Sequence, residues 1–198
     1  MIATRVSFEH FIACRPLPGL RDSSDLGIVA EHDGSLLLAL IDGVGQGAAA
    51  TEVAAAIGGI VRRMATRPVA EIFVAAHEGA VGTSGASLAT IRISPALRLL
   101  EFAGIGRVYG AVTGPTEQVL TSEPGRLGVG LAKVPPVHDV RWTPGTIAVL
   151  AVDGLVDAWD LTPLWNAKEP TLERLVRRLA AVEGRLPEDA WIVIARAR

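Results

Sequence analysis

The amino-acid sequence predicts an α+β fold in which sheet is buried on both faces by helices. Two strands, Leu36–Ile41 and Ile147–Val152, are apolar throughout, which indicates sheet covered on both sides. Helical segments come in pairs between groups of strands. The strands of the middle block follow one another too closely for βαβ crossovers, which favours antiparallel pairing.

The first half of the chain contains three predicted strands and then two helices. The strands cover Arg5–Ala13, Leu26–Glu31 and Leu36–Ile41, and the helices cover Gly47–Met64 and Pro68 to about His77. The residues His32-Asp33-Gly34-Ser35 have the composition of a hairpin turn. The first helix is rich in alanine and ends in arginines that suit the helix dipole. The second begins with a proline, which suits a first helical turn.

The second half is predicted to be mostly strands. They cover Ser87–Ile93, Leu97–Phe102, Arg107–Val112, Ile147–Val152 and Trp191–Ala195. The segment Thr121–Pro144 is rich in proline and glycine, which predicts an irregular flap. Apolar residues on one face of Thr171–Val182 predict an amphipathic helix there.

Length and charge exclude several classes of protein. The 198 residues predict a single domain, 1–198. Nineteen Lys and Arg against 21 Asp and Glu give a net charge of -2 and no basic field for nucleic acid. The segment Val44–Val61 is mostly Ala and Gly, which is typical of a buried helix and not of a membrane span.

The N-terminal residues and the single cysteine predict a cytoplasmic protein without membrane attachment. Met1–Arg15 is interrupted by Arg5 and Glu9, so it lacks the apolar core of a signal peptide. Cys14 is the only cysteine, which excludes an internal disulfide and a cysteine-rich zinc site and fits a reducing compartment. We expect Cys14 to be a buried packing residue.

Acidic residues stand at the ends of the predicted strands. Asp42 and Asp153 each follow an apolar strand and precede a glycine, Asp189 precedes the last strand, and Asp25 begins another. Carboxylates that converge at one end of a sheet repel each other, and a hard divalent cation relieves that repulsion. Adjacent glycines let backbone carbonyls approach as further oxygen ligands. Asp-Gly is also a common turn dipeptide, so a turn and a metal site both remain open from these residues alone.

The segment Gly43–Ala48 also matches the dinucleotide-binding pattern G-x-G-x-x-A between a strand and a helix. That pattern requires a second strand after the helix, ending in an acidic residue for the ribose. Here the helix ends in Arg62 and Arg63 and is followed by another helix. A dinucleotide site is therefore not favoured.

A set of short motifs occurs in order along nearly the whole chain. They are Ser24-Asp25, Asp42-Gly43-Val44-Gly45, Gly85-Ala86-Ser87, Gly104-Ile105-Gly106, Val152-Asp153-Gly154 and Glu188-Asp189. In order and position this set resembles the metal-dependent Ser/Thr protein phosphatases of the type 2C superfamily. The short chain and the segment Gly104–Val108 look most like the bacterial branch of RsbX-like stressosome phosphatases.

The resemblance implies a four-layer αββα sandwich of two mainly antiparallel sheets, with two Mn²⁺ or Mg²⁺ ions at one end. Asp42 would bridge both ions, the Gly43 carbonyl would bind one, and Asp153 and Asp189 would bind the other. Asp25 would hold a metal-bound water in the outer shell. Water activated by the ions would attack phosphorus in line, with Asp42, Asp153 and Asp189 as the catalytic set.

The chain departs from the pattern of some relatives near Asp42. Val44 and Gln46 occupy a stretch where those relatives place a histidine as general acid, so protonation by metal-bound water is the expected alternative. Other relatives hold the phosphate with an N-terminal arginine. Arg21 or Arg15 is the candidate here, although a solvated surface cation is the favoured explanation of each.

The resemblance also implies substrates, namely phosphoserine or phosphothreonine on stressosome scaffold and antagonist proteins. Two ions recognise little beyond the phosphoryl group, so the segment Thr121–Pro144 is expected to choose among proteins, through surface residues such as Arg126, Leu127 and Val129. The alternative, that this segment is a solvated connection without a partner, remains open. Two alternatives remain: an inactive pseudophosphatase that binds phosphoproteins, and a phosphatase of small metabolites.

Overall fold

The computed structural model describes residues 6–15, 23–113, 118–129, 133–152, 172 and 190–197. In this part of the chain there are ten strands and two α-helices. The strands are β1 Phe8–Arg15, β2 Asp25–His32, β3 Ser35–Gly43, β4 Ala86–Ser94, β5 Leu99–Ile105, β6 Val108–Thr113, β7 Gln118–Leu120, β8 His138–Arg141, β9 Ile147–Val152 and β10 Ala190–Ala197. The helices are α1 Ala48–Arg63 and α2 Val69–Ala80.

The strands form two five-stranded sheets in which every neighbouring pair is antiparallel. The first sheet has the order β2-β3-β4-β5-β8, and the second sheet has the order β1-β10-β9-β6-β7. The prediction of an α+β fold with antiparallel sheets is confirmed.

The central strand β3 shows how the layers meet, because its side chains alternate between two cores. Leu36, Leu38 and Leu40 belong to the core between the two sheets. Leu37, Ala39 and Ile41 belong to the core between the first sheet and the helices, which α1 and α2 complete with residues such as Ile57 and Phe73. The sandwich therefore stacks helices, first sheet and second sheet, and β3 is buried on both faces as predicted.

The outer face of the second sheet is also buried, as Ile192 and Ile194 of β10 show. The predicted helix Thr171–Val182 lies outside the described residues except for Leu172. Leu172 is buried, and its backbone N–H donates to a carboxylate oxygen of Glu9 at 3.2 Å. Neither described helix combines the length and apolar character that a membrane crossing needs.

The predicted hairpin turn between β2 and β3 is confirmed. Asp33 and Gly34 have φ angles of 48° and 73°. Positive φ at both central residues is the type I′ geometry that matches the twist of the flanking strands. The turn fixes the register in which Asp25 faces Asp42.

Several boundaries differ from the prediction. A short 3₁₀ turn, Pro95–Leu97, precedes β5, so this strand begins at Leu99 and runs through Ile105. The following turn is therefore at Gly106 and Arg107 instead of at Gly104–Gly106. Strand β7 was not predicted, since three residues give no periodic signal.

The predicted irregular flap Thr121–Pro144 is only partly irregular. It contains β8, an edge strand of the first sheet. It also contains a docked segment, residues 123–128, that is tied to the first sheet and to α2. Leu127 is fully buried there, so the expectation that Leu127 belongs to an open surface is wrong. Arg126, Val129 and Lys133 are exposed, as expected.

Hydrogen bonds hold the docked segment at both ends. Gly106 donates to the Glu123 carbonyl, and Glu123 donates to the Gly104 carbonyl, each at 2.9 Å. Leu127 donates to the Ala86 carbonyl at 2.9 Å. The Gly128 N–H donates to Nδ1 of His77 on α2 at 3.1 Å. The segment therefore braces the ends of β4 and β5 against the helix layer.

Candidate metal centre at one end of the sandwich

The structure places Asp25 and Asp42 directly opposite each other on β2 and β3. The alternation along β3 puts Asp42 in the row of Leu38 and Leu40, on the face toward the second sheet. Asp25 is only 7% exposed. The two predicted metal-binding carboxylates in the described chain are therefore brought together at the end of the space between the sheets.

Ser87 on β4 stands opposite Asp42 on its other side. Its hydroxyl donates to Oδ2 of Asp42 at 3.4 Å and accepts the backbone N–H of Arg107 at 3.1 Å. On the side of Asp25, the Ser24 hydroxyl lies 3.5 Å from Oδ1 of that carboxylate. Small hydroxyl residues thus line the carboxylate pair.

Gly43 is required by close packing. A Cβ at this position would lie 2.4 Å from the Ala50 carbonyl oxygen in the first turn of α1. Its N–H donates to the Ser24 carbonyl at 2.9 Å, and the next residue, Val44, donates to the Gly85 carbonyl at 3.0 Å. The backbone beside Asp42 is therefore fixed from both neighbouring strands.

The second sheet ends at the same place. The Trp191 indole N–H, at the start of β10, donates to the Ser23 hydroxyl at 2.8 Å, just before β2 begins. Val108 at the start of β6 pairs with Val152 at the end of β9, and Arg107 contacts Ser87. The end of β9 and the beginnings of β6 and β10 therefore lie at the end of the sandwich that holds Asp25 and Asp42.

Three predicted site residues, Asp153, Asp189 and Arg21, lie outside the described residues, as does the side chain of Arg15. In sequence, Asp153 follows the last residue of β9 and Asp189 precedes the first residue of β10. Within the described ranges, no three His, Cys, Asp or Glu side chains are grouped as metal ligands.

The carboxylates that are described fit a hard divalent cation. Like charges directly opposite each other on neighbouring strands destabilise a sheet, and burial of Asp25 adds a desolvation cost. A divalent ion between the carboxylates turns this repulsion into attraction, and oxygen ligands are those that Mg²⁺ and Mn²⁺ prefer. The chemistry of this end of the sandwich thus agrees with the ions that the resemblance implies.

A family model described as stage II sporulation protein E (SpoIIE) matches residues 32–198. The chain belongs to the SpoIIE family. This match covers β3, β4 and every later element of the fold, and it includes Asp42, Asp153 and Asp189. The family match and the shared fold of RsbX agree with the predicted resemblance to the type 2C superfamily and its RsbX-like branch. No curated protein sequence matches the chain.

Solved structures share the fold of this SpoIIE-family chain at low sequence identity. A chain of a bacterial stressosome system adapted to control secondary messenger signalling has a TM-score of 0.90 and 24% identity, over 96% of this chain and 100% of that one. RsbX in complex with magnesium has a TM-score of 0.87 and 20% identity, over 96% of each chain. The catalytic domain of the serine/threonine phosphatase PstP with two manganese ions has a TM-score of 0.79 and 17% identity, over 97% and 99%.

These neighbours confirm the predicted type 2C fold. The predicted enzyme class, a protein-serine/threonine phosphatase, agrees with this fold, which the serine/threonine phosphatase PstP shares.

Sequence reasoning assigned no role to Ser87 and Arg107, which the structure places beside Asp42. Ser87 is a polar residue near the start of β4 and the last residue of the motif Gly85-Ala86-Ser87, which was its signal in the sequence. Arg107 is exposed at the turn before β6, at the rim of the site.

Proposed function

We propose that this protein is a Mn²⁺- or Mg²⁺-dependent phosphatase of phosphoserine and phosphothreonine on proteins. The observation that carries the proposal is the cross-strand pair of Asp25 and Asp42 at one end of the sandwich, within a SpoIIE-family domain. Carboxylate oxygens are the ligands that Mg²⁺ and Mn²⁺ prefer in proteins.

The proposed centre holds two ions through residues from both sheets. Asp42 would contact both ions, with the Gly43 carbonyl as a further ligand, and Asp153 and Asp189 would contribute from the second sheet. Asp25 would accept a hydrogen bond from water in the outer shell. Bound ions would supply an activated water and neutralise the phosphoryl oxygens.

Residues of the chain itself hold Asp42 in place and close one side of the site. The apolar core between the sheets, including Leu40 and Val152, closes the site on the side of the sandwich interior. Hydrogen bonds donated by the backbone N–H groups of Gly43 and Val44 hold Asp42 at this end. An arginine would hold the phosphate; Arg21 is the sequence candidate, and exposed Arg107 lies at the rim.

The proposed substrates are folded phosphoproteins of stress signalling in the cytoplasm, of the stressosome scaffold and antagonist type. Support comes from the neighbouring structures, which include a bacterial stressosome chain, RsbX, and the RsbU and RsbW domains of a Mycobacterium tuberculosis protein. The exposed Arg126, Val129 and Lys133 offer mixed charged and apolar contacts beside the docked segment.

The test is phosphate release, with and without Mn²⁺, from phosphorylated stressosome proteins, free phosphoserine and a phosphotyrosine peptide. We expect release from the phosphoproteins alone, and only with metal. Undiminished release after exhaustive chelation would contradict the metal-dependent mechanism. Faster release from free phosphoserine would indicate a small-molecule phosphatase, and phosphoprotein binding without release would indicate a pseudophosphatase.

A further inference from the structure

We infer that Ser87 is a positioning residue that orients the Asp42 carboxylate for metal binding. The inference rests on the proposed function and extends it to a residue that the metal ions would not touch. Ser87 is 4% exposed and lies directly opposite Asp42 across β3 and β4.

The direction of the Ser87 hydroxyl is set by its two partners. A hydroxyl has one proton, and a backbone N–H can only donate. Because Arg107 donates to Ser87 Oγ at 3.1 Å, the hydroxyl proton is left for Oδ2 of Asp42, an acceptor 3.4 Å away. A carboxylate held by a hydroxyl in this way keeps a fixed rotation, which is how outer residues tune metal ligands.

The fold makes room for this hydroxyl. Gly106 has a φ of 84°, and a Cβ there would lie 2.4 Å from Ser87 Oγ. The Gly106 N–H donates to the Glu123 carbonyl in the docked segment, which fixes the turn that presents the Arg107 N–H. The docked segment is thus connected to Asp42 through a hydrogen bond to Gly106, the backbone from Gly106 to Arg107, and the hydrogen bonds of Ser87.

Ser94 provides a matched control in the same strand. It is buried to a similar degree, 7% exposed, and its hydroxyl also takes part in a 3.4 Å hydrogen bond. Ser94 lies at the opposite end of β4 from Ser87, and its partner is the neutral hydroxyl of Ser35 on β3. The two serines therefore share a strand and a degree of burial, but only Ser87 donates to the proposed metal ligand and accepts the Arg107 N–H, whereas Ser94 accepts from Ser35.

The experiment measures Mn²⁺ affinity by isothermal titration calorimetry for the wild-type protein, Ser87→Ala and Ser94→Ala. We expect Mn²⁺ to bind Ser87→Ala about tenfold more weakly, since loss of an outer-shell partner typically weakens metal binding by that order. Ser94→Ala should bind like the wild type. Melting of each metal-free protein separates positioning from simple structural support.

Equal Mn²⁺ affinity of Ser87→Ala and wild type would overturn the inference and leave the proposed function intact. Equal weakening in Ser87→Ala and Ser94→Ala, in step with their melting temperatures, would also overturn it, because the effect would then be general destabilisation. Absence of Mn²⁺ binding by the wild type would overturn both the inference and the proposed function.

Discussion

Two rows of polar side chains cross the first sheet at opposite ends. The first row is Asp25, Asp42 and Ser87, across β2, β3 and β4. The second row is Arg92, Glu101 and Asp139, across β4, β5 and β8. Both rows place two carboxylates directly opposite each other, but only the second row contains a cation of its own.

In the second row, the positive charge of Arg92 compensates the negative charge of the neighbouring carboxylates. Burial lowers the pKa of the Arg92 guanidinium below its ordinary value, and the negative charge of Glu101 offsets part of this lowering. The same guanidinium donates to the carbonyls of Ala65 and Arg67 after α1, at 2.9 and 2.5 Å. The second row is therefore a structural element, whereas the proposed function assigns the first row to metal binding.

The largest expected effect is on turnover, from Asp42→Asn. The substitution keeps the side-chain volume but removes the charge assigned to both ions, so we expect a loss of roughly 10³-fold, about 4 kcal/mol in activation free energy. Asp139→Asn, in the second row and exposed, should retain wild-type turnover. Steady-state assays with saturating Mn²⁺ measure both. Turnover of Asp42→Asn within tenfold of wild type would contradict the assignment.

The next largest expected effect is a loss of unfolding free energy when the docked segment, residues 123–128, is weakened. Leu127→Ala removes a fully buried side chain from the core under α2, and we expect the free energy of unfolding to fall by about 3 kcal/mol. Leu97→Ala, which is 73% exposed near the second row, should change it by less than about 0.5 kcal/mol. Urea denaturation measures both values. Equal values would show that the docked segment is not part of the core.

His77→Ala removes the acceptor of the Gly128 N–H and should cost about 1 kcal/mol of unfolding free energy. Amide hydrogen exchange at Gly128 should become faster. The control is His32→Ala, an exposed change at the far end of β2, which should alter neither quantity. Unchanged exchange at Gly128 would indicate that the docked segment is held without His77.

The smallest expected effect is on the metal-free protein. Asp42→Asn relieves the repulsion from Asp25 and should raise the free energy of unfolding by about 0.5 kcal/mol. Asp139→Asn should raise it less, since Asp139 is exposed and Arg92 already offsets its row. Urea denaturation at low salt measures the difference, which 1 M NaCl should shrink by screening. Destabilisation by Asp42→Asn would show that the first row is already compensated within the chain.

The parts of the fold that sequence predicts are those with a strong local signal. Leu36–Ile41 is apolar throughout, and the structure buries it on both faces. Asp33 and Gly34 have turn chemistry, and they form the turn. Strand β8 and Leu127 were missed because proline and glycine around them suggested an irregular surface, whereas their structure depends on pairing with β5 and β4.

The candidate site shows the same limit. Asp25 and Asp42 were predicted from their places at strand ends, and register brings them together. The role of Ser87 depends on which residue stands opposite it across two strands, which no local pattern specifies. Gly43 was predicted for the approach of its carbonyl, but the structure adds a packing reason that only the docking of α1 reveals.

Cys14 offers an experimental handle on the natural protein. The expectation of a buried residue is wrong, because Cys14 is exposed on β1, opposite Trp191. Since it is the only cysteine, a thiol-reactive fluorophore would label one site without any substitution. The indole of Trp191 contacts Ser23 beside the carboxylate pair, so a dye at Cys14 would stand next to a native tryptophan at the end of the sandwich that holds Asp25 and Asp42. Quenching between them gives an optical readout of that end in real time.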